Sequence, residues 1–213
     1  MMPRPNAILQ SEFPYHVSAR CINKEWFNIP MENVWDIFSR QLTYINWVYS
    51  AEIHAFVLMN NHFHLLISTP LANLSIIMAN FMKETSRQIN QVTGRINQTY
   101  GNRHFRSLIG SPHYYLHAYK YIYRNPVAAG LTERCEIYKY SSLSFLVGKT
   151  LARFPTLEDD VLFSDVEGTI SWLNTKPSDE NWHTIGNAMK KSNFQIATDK
   201  KSKRNHQLEV DML

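Results

Sequence analysis

Two histidines one residue apart, His62 and His64, close an apolar run that reads Ala55-Phe56-Val57-Leu58-Met59-Asn60-Asn61. On a strand, the two-residue period points both imidazoles out of one face, where they can share a divalent metal. Two imidazoles give such an ion only half of what it needs, so at least one more oxygen or nitrogen ligand must come from elsewhere. A His-x-His pair alone is more often an ordinary feature of a hairpin surface. Position 66 is Leu66, so the His-x-His-x-Asp pattern of binuclear zinc hydrolases is absent.

Further along lies a basic stretch crowded with tyrosine, Tyr119-Lys120-Tyr121-Ile122-Tyr123-Arg124-Asn125-Pro126. A phenol beside a Lewis acid suggests phosphodiester chemistry, if the chain can bring the two together. Helical spacing puts Tyr121 and Asn125 on one stripe, with His117 a turn earlier. Leu116, Tyr119 and Tyr123 fall on another stripe beside Ile122 and read as core. Tyr121 stands out because Asn125, a candidate oxygen ligand, shares its face at a helix end just before Pro126.

The elements that must position these groups can be read from periodicity. Tyr15 to Cys21 alternates as a half-buried strand. Pro30 opens a helix with Met31, Val34, Trp35, Phe38, Leu42 and Ile45 on its inner face. Ile53–Met59 and His62–Ser68 form a hairpin across Asn60-Asn61. A helix traced by Leu74, Ile77, Met78, Phe81, Ile89 and Val92 ends at Gly94. His104–Ile109 is a short strand, and a last helix runs from Tyr114 to roughly Arg124, stopped near Asn125-Pro126. The order β-α-β-β-α-β-α predicts an α+β, ferredoxin-like antiparallel sheet with helices on one face and the last helix across the open face. Beyond residue 150, Pro155, Trp172, Pro177 and the basic run Lys200-Lys201-Ser202-Lys203-Arg204 suggest short helices and a basic tail. Residues 1–150 are thus expected as a catalytic domain and 151–213 as a helical extension, a cap or a second nucleic-acid contact.

Composition narrows the class. Apolar content of 44% with 19% charged residues is globular. No run of eighteen or more apolar residues exists, so no membrane span is expected. The amino terminus lacks an apolar signal core, and Cys21 and Cys135 show no zinc-type spacing, which fits a reduced, cytoplasmic setting. The net charge is +4, unevenly placed. Lys83, Arg87, Arg103, Arg106, Lys120 and Arg124 crowd the middle of the chain, whereas Glu158, Asp159, Asp160, Asp165 and Glu167 form an acidic patch. A basic middle with interleaved aromatic residues suits a polyanion; it also suits solvated helix faces. These six cations are the candidates for phosphate contacts, and His104, Phe105 and Tyr114 for stacking on bases.

Leu58-Met59-Asn60-Asn61-His62-Phe63-His64-Leu65-Leu66, followed by Tyr121-Ile122-Tyr123-Arg124-Asn125-Pro126-Val127-Ala128-Ala129-Gly130-Leu131, resembles the single-tyrosine HUH transposases. The branch it resembles is the IS200-like, REP-associated tyrosine transposases. Arg4-Pro5, Tyr15–Arg20 and Tyr138-Lys139-Tyr140-Ser141-Ser142 extend the resemblance over about residues 4 to 147. It implies a metal-dependent nuclease and strand transferase on single-stranded DNA, often beside a hairpin or palindrome. His62 and His64 would be metal ligands for Mg²⁺ or Mn²⁺, Asn125 would complete the site, and Tyr121 would be the nucleophile forming a 5′-phosphotyrosine. Asn60 and Ala128 depart from the family pattern in the turn before the ligands and at one DNA contact. The general base for Tyr121 is not evident, His117 being one candidate, and a homodimer is left open. The rival readings are a ferredoxin-like module that binds nucleic acid without cutting it and a phosphodiesterase that uses water.

Overall fold

The computed structural model describes residues 9–157, 159–197 and 206–213. Arg4 and Pro5, Glu158, and the basic run from Lys200 to Arg204 lie outside the described residues. Four strands, β1 (Tyr15–Arg20), β2 (Glu52–Leu58), β3 (His62–Ser68) and β4 (Phe105–Leu108), form one sheet in the order β2-β3-β1-β4. Every neighbouring pair is antiparallel. Helix α1 (Met31–Tyr49) joins β1 to β2, and α2 (Leu74–Thr93) joins β3 to β4. This is the ferredoxin-like, α+β arrangement that the element order predicts.

Local chemistry sets each boundary. α1 buries Val34, Trp35, Phe38, Leu42 and Ile45 at three- and four-residue spacing and ends at Ser50, whose φ is 54°. α2 ends at Gly94 with φ 67°, where a side chain would be strained. The β2–β3 hairpin closes with the Met59 amide donating to the His62 carbonyl at 2.8 Å. β1 lies against β3 with Ser18 opposite His64 and Arg20 opposite His62.

Both faces of the sheet are covered, the second by more than the one helix expected there. One core joins Val17, Phe63, Leu65 and Ile67 to α1 and α2. The other joins Val57 and Leu66 to α3 (Pro112–Ala128), α4 (Ser142–Leu146), α5 (Val166–Asn174) and α6 (Asp179–Ala188). β1 is therefore not half-buried at its start: His16, on the face expected to meet solvent, is 2% exposed. Residues beyond 150 supply Leu173, Ile185, Phe194 and Leu208 to this second core, so they are packed into the body of the molecule.

The edge strand β2 is closed by the segment that resembles the family's Tyr-x-x-Ser-Ser. The Leu58 amide donates to the Tyr140 carbonyl at 2.9 Å, and the Tyr138 hydroxyl donates to the Leu58 carbonyl at 2.9 Å. Ser142 Oγ accepts from the Phe56 amide at 2.9 Å and meets the Tyr123 hydroxyl at 2.8 Å, tying α3 to the sheet. Pairing the edge in this way removes a template for association.

α3 does not stop near Asn125-Pro126, as its sequence suggests. It runs through Pro126 to Ala128. Proline removes one N–H here, the one that would reach the Ile122 carbonyl, without ending the helix. The Gly130 amide then donates to Val127 O at 3.0 Å and the Leu131 amide to Pro126 O at 2.9 Å, with Gly130 at φ 69°. These paired bonds form a Schellman motif that ends the helix. No helix among the described residues is long and apolar enough to cross a membrane.

Candidate active site

The second face of the sheet carries His62 and His64, and α3 brings Tyr121 to them. The Tyr121 ring lies 6.0 Å from the His64 ring, edge-on at 86°. The two histidine rings are 5.1 Å apart. Together with Asn125 they line a cleft of about 520 Å³. All four residues belong to one chain.

A hydrogen bond fixes which nitrogen His62 presents, and the His16–His64 contact decides it for His64. Asn61 Nδ2 donates to the Lys24 carbonyl at 2.7 Å, leaving Asn61 Oδ1 to accept from His62 Nδ1 at 2.8 Å. The His62 proton therefore sits on Nδ1, and Nε2 keeps its lone pair. His64 Nδ1 lies 2.9 Å from His16 Nε2, and the two rings are stacked. If His64 donates there, its Nε2 is left as a ligand too. His16 Nδ1 is buried with no partner among the described residues.

Burial keeps these histidines neutral at pH 7. It lowers His62 to about 4, with Arg20 adding to the effect. His64 is held well below the usual range by burial first and then by His62, His16 and Arg20. Burial alone takes His16 down to about 3. Neutral imidazoles have lone pairs to give. Tyr121 is shifted the other way: burial raises its phenol, and Arg20 partly opposes the rise.

The surroundings of Tyr121 come from a region with no legible role in the sequence. Trp182 of α6 stacks on it at 4.6 Å between ring centres. Gly186, one turn further on, lets α6 approach closely: a Cβ there would lie 3.3 Å from the Tyr121 hydroxyl. Asn125 Nδ2 donates to the Tyr121 carbonyl at 2.7 Å, which leaves Oδ1 as its available donor atom. Among the described residues no three His, Cys, Asp or Glu side chains converge so as to hold a metal. An ion in this cleft would rest on the two imidazoles and the Asn125 amide oxygen.

The six cations expected to grip phosphate separate into three groups. Arg103 lines the cleft, and it also lines an adjoining groove of about 580 Å³ with Lys83 and Arg106. Arg87 is exposed on α2, pairs with Glu84 at 2.9 Å and lines neither cavity. Lys120 and Arg124 are corrections. Lys120 is 1% exposed, its Nζ donating to Leu213 O at 2.6 Å and lying 5.3 Å over the Trp172 ring. Arg124 Nη1 donates to Leu173 O at 3.0 Å and Asn174 O at 2.7 Å. Both hold the carboxy-terminal region to α3 and line neither cavity.

Of the stacking candidates, His104 lines the groove and Phe105 the cleft, while the Tyr114 hydroxyl is bonded to Glu209 at 2.7 Å. His117 is buried against Leu208 O and lines neither cavity, so it is not placed to serve Tyr121. His16 and Arg20 were missed by spacing arguments. Their signal was present, since both alternate onto the face of β1 that pairs beside His62 and His64 once β1 is set next to β3.

Residues 12–108 match the family model described as "Transposase IS200 like". Over that stretch the chain is similar to the IS200-like transposase domain. The matched stretch contains the sheet and both histidines and ends before α3, so it is the fold that adds Tyr121 and Asn125 to them. Among solved structures, the fold is similar to a REP-associated tyrosine transposase bound to a REP hairpin, at a TM-score of 0.58 and 16% identity. That likeness covers 74% of this chain and 93% of the other. No curated protein matches the chain.

Proposed function

We propose that this protein acts as an IS200-like transposase, cutting and rejoining single-stranded DNA by way of a covalent bond to Tyr121, with Mg²⁺ or Mn²⁺ held by His62, His64 and Asn125. The observation that carries the reading is the approach of the Tyr121 ring to within 6.0 Å of His64, in the cleft that Asn125 also lines. The donor set suits such an ion, offering two neutral imidazoles and an amide oxygen in a cleft open to phosphate. A bound divalent ion would supply Lewis acidity, orienting the scissile phosphate and offsetting developing charge.

The protein's own residues then have distinct tasks. Asn61 and His16 hold the two imidazoles in one tautomer and orientation. Tyr121 Oη forms its bond to phosphorus as the bond to the 3′-oxygen breaks, the phenolic proton reaching that oxygen through solvent. The product is a 5′-phosphotyrosine and a free 3′-hydroxyl. The new ester retains the phosphodiester's energy, so another 3′-hydroxyl can reverse the step without a nucleotide cofactor. Arg20, whose charge already acts on Tyr121, favours the anionic phenol and the anionic phosphate alike. Trp182 limits the rotation of the nucleophile by stacking on it.

The DNA is proposed to run from the groove of Lys83, Arg103 and Arg106 into the cleft, since Arg103 borders both. A stem held in the groove would feed its flanking single strand towards Tyr121. The hairpin bound by the structurally similar protein supports a stem-loop as the substrate class.

The test is incubation with a labelled single-stranded DNA carrying a palindromic stem, in Mn²⁺, followed by a denaturing gel. A protein–DNA adduct that disappears in Tyr121→Phe is the expected result. Cleavage with no adduct would assign the attack to water, and binding with no cleavage of any palindrome flanking the gene would leave a non-catalytic module.

A further inference from the structure

We infer a second divalent-metal site, of zinc type, formed by His113 and His117 of α3 and the main-chain carbonyl of Leu208. The two histidines stand four residues apart on one helical face. Their Nε2 atoms are 3.0 Å apart. Each also faces the Leu208 oxygen, His113 at 2.7 Å and His117 at 2.9 Å. Three polar atoms thus form a near-equilateral triangle.

Protons alone cannot satisfy that triangle. If both Nε2 atoms carry hydrogen, both donate to Leu208 O and two N–H groups confront each other across the N···N edge. If one Nε2 is bare, its lone pair faces the carbonyl oxygen, and that edge is repulsive instead. Every tautomer leaves one of the three contacts unfavourable. A cation removes the conflict, because all three atoms then present lone pairs to it. With metal–nitrogen distances of about 2.0–2.1 Å, an ion equidistant from the three atoms would sit roughly 1.3 Å off their plane. Edges of 2.7, 2.9 and 3.0 Å are close to the roughly 2.9 Å between neighbouring ligands of a six-coordinate ion at those distances.

The site carries one cost, the His117 Nδ1 proton, which is buried without a partner among the described residues; the rest of the neighbourhood is consistent with it. Burial keeps His117 neutral, lowering it to about 4. Glu209 follows Leu208 directly, acts electrostatically on His117 and accepts from the Tyr114 hydroxyl at 2.7 Å, so a carboxylate is at hand for charge or as a fourth ligand. Lys120 opposes a cation, but its ammonium is turned away to the Leu213 oxygen. No metal cluster of three His, Cys, Asp or Glu side chains exists among the described residues. Here the third donor is backbone. Away from the cleft, with no phosphate oxygens to make the shell oxygen-rich, two imidazoles favour Zn²⁺ over Mg²⁺. Its effect would be to clip residues 206–213 to the helix that carries Tyr121.

The experiment must keep this site apart from the His62–His64 pair. The full chain carrying His62→Ala and His64→Ala is stripped with chelator, dialysed against Zn²⁺ and assayed for bound zinc by mass spectrometry. One equivalent is expected to remain, with affinity measured against a chromophoric chelator. Adding His113→Gln or His117→Gln should weaken it at least a hundredfold, with unchanged far-ultraviolet circular dichroism. No retained zinc, or retained zinc indifferent to both changes, overturns the site. Should the glutamine variants fail to fold, X-ray absorption on the chain with His113 and His117 intact decides. Two imidazoles plus oxygen is the expected shell, and any shell lacking two imidazoles refutes the assignment. Because both catalytic histidines are already gone, failure here leaves the proposed DNA chemistry untouched.

Discussion

Replacing His16 would separate the ability of the cleft to bind metal from its ability to stay folded. His16 is 2% exposed, and its Nε2 lies 2.9 Å from His64 Nδ1. In His16→Leu the acceptor disappears while most of the volume is kept. His64 then has two options. It keeps its proton on Nδ1, buried and unpaired, at about 1–3 kcal/mol. Or it moves the proton to Nε2 and loses the lone pair that a metal needs. Either way, loss of such an outer partner should weaken Mn²⁺ binding about 10- to 100-fold, about 1.4–2.7 kcal/mol.

Stability should respond differently. His16 Nδ1 is itself buried without a partner, so removing the ring recovers about 1–3 kcal/mol, a gain that offsets the newly orphaned His64 nitrogen. The urea midpoint is therefore expected to stay near wild type while the Mn²⁺ dissociation constant, read by calorimetry, rises. His16→Gln restores an acceptor oxygen and should recover part of the affinity. A His16→Leu protein that binds Mn²⁺ as tightly as wild type refutes the tautomer argument. A glutamine variant no better than leucine would reduce His16 to packing.

The remaining expectations concern charge, crowding and pH. Arg103→Ala and Lys83→Ala should each lower the log–log salt slope of single-strand affinity by about 0.7, whereas Lys120→Gln should leave it unchanged. Arg124→Ala should also leave that slope alone but lower the unfolding free energy by about 2–4 kcal/mol, since two carbonyls lose a charged donor. A changed slope in either buried variant would show that the cation reaches DNA. Gly186→Leu should drive the Tyr121–Trp182 stack from its position and slow adduct formation at least tenfold; an unchanged rate means α6 is not held against the nucleophile in solution. Burial lowers His54 to about 4, against a pull upward from Asp159. The unfolded chain then binds more protons between pH 6.5 and 4, so stability falls as pH falls. The His54 share is about 2 kcal/mol from pH 7 to 5. That share should vanish from the difference in urea midpoints of His54→Gln, and an identical pH dependence would contradict the burial argument.

The strand order and the His-x-His face could be read in the sequence because each rests on a local period. A helix of three- and four-residue spacing, a hairpin at Asn60-Asn61 and Gly94 at a left-handed cap are decided by neighbours in the chain. The pairing of Tyr121 with Asn125 was legible for the same reason, being a single helical step. Pro126 misled because the loss of a single N–H near the end of a helix does not by itself stop it. There the carbonyls depend on the Schellman bonds of Gly130 and Leu131 instead.

What the sequence hid was how fully the second face of the sheet is covered beyond the one helix expected there. An alternating strand reads as one buried and one wet face only if nothing packs on the wet side. Here α3 and the carboxy-terminal helices do, which is how His16 becomes buried and how Lys120 and Arg124 become struts rather than DNA contacts. Their partners are main-chain oxygens of Leu213, Leu173 and Asn174, and a carbonyl leaves no trace in residue type. The same blindness applies to Leu208, whose side chain says nothing of the oxygen that faces two histidines. Charge runs and histidine spacings mark where cations and ligands are available. Which of them face solvent is settled by segments far away in the chain, and here those segments follow residue 150.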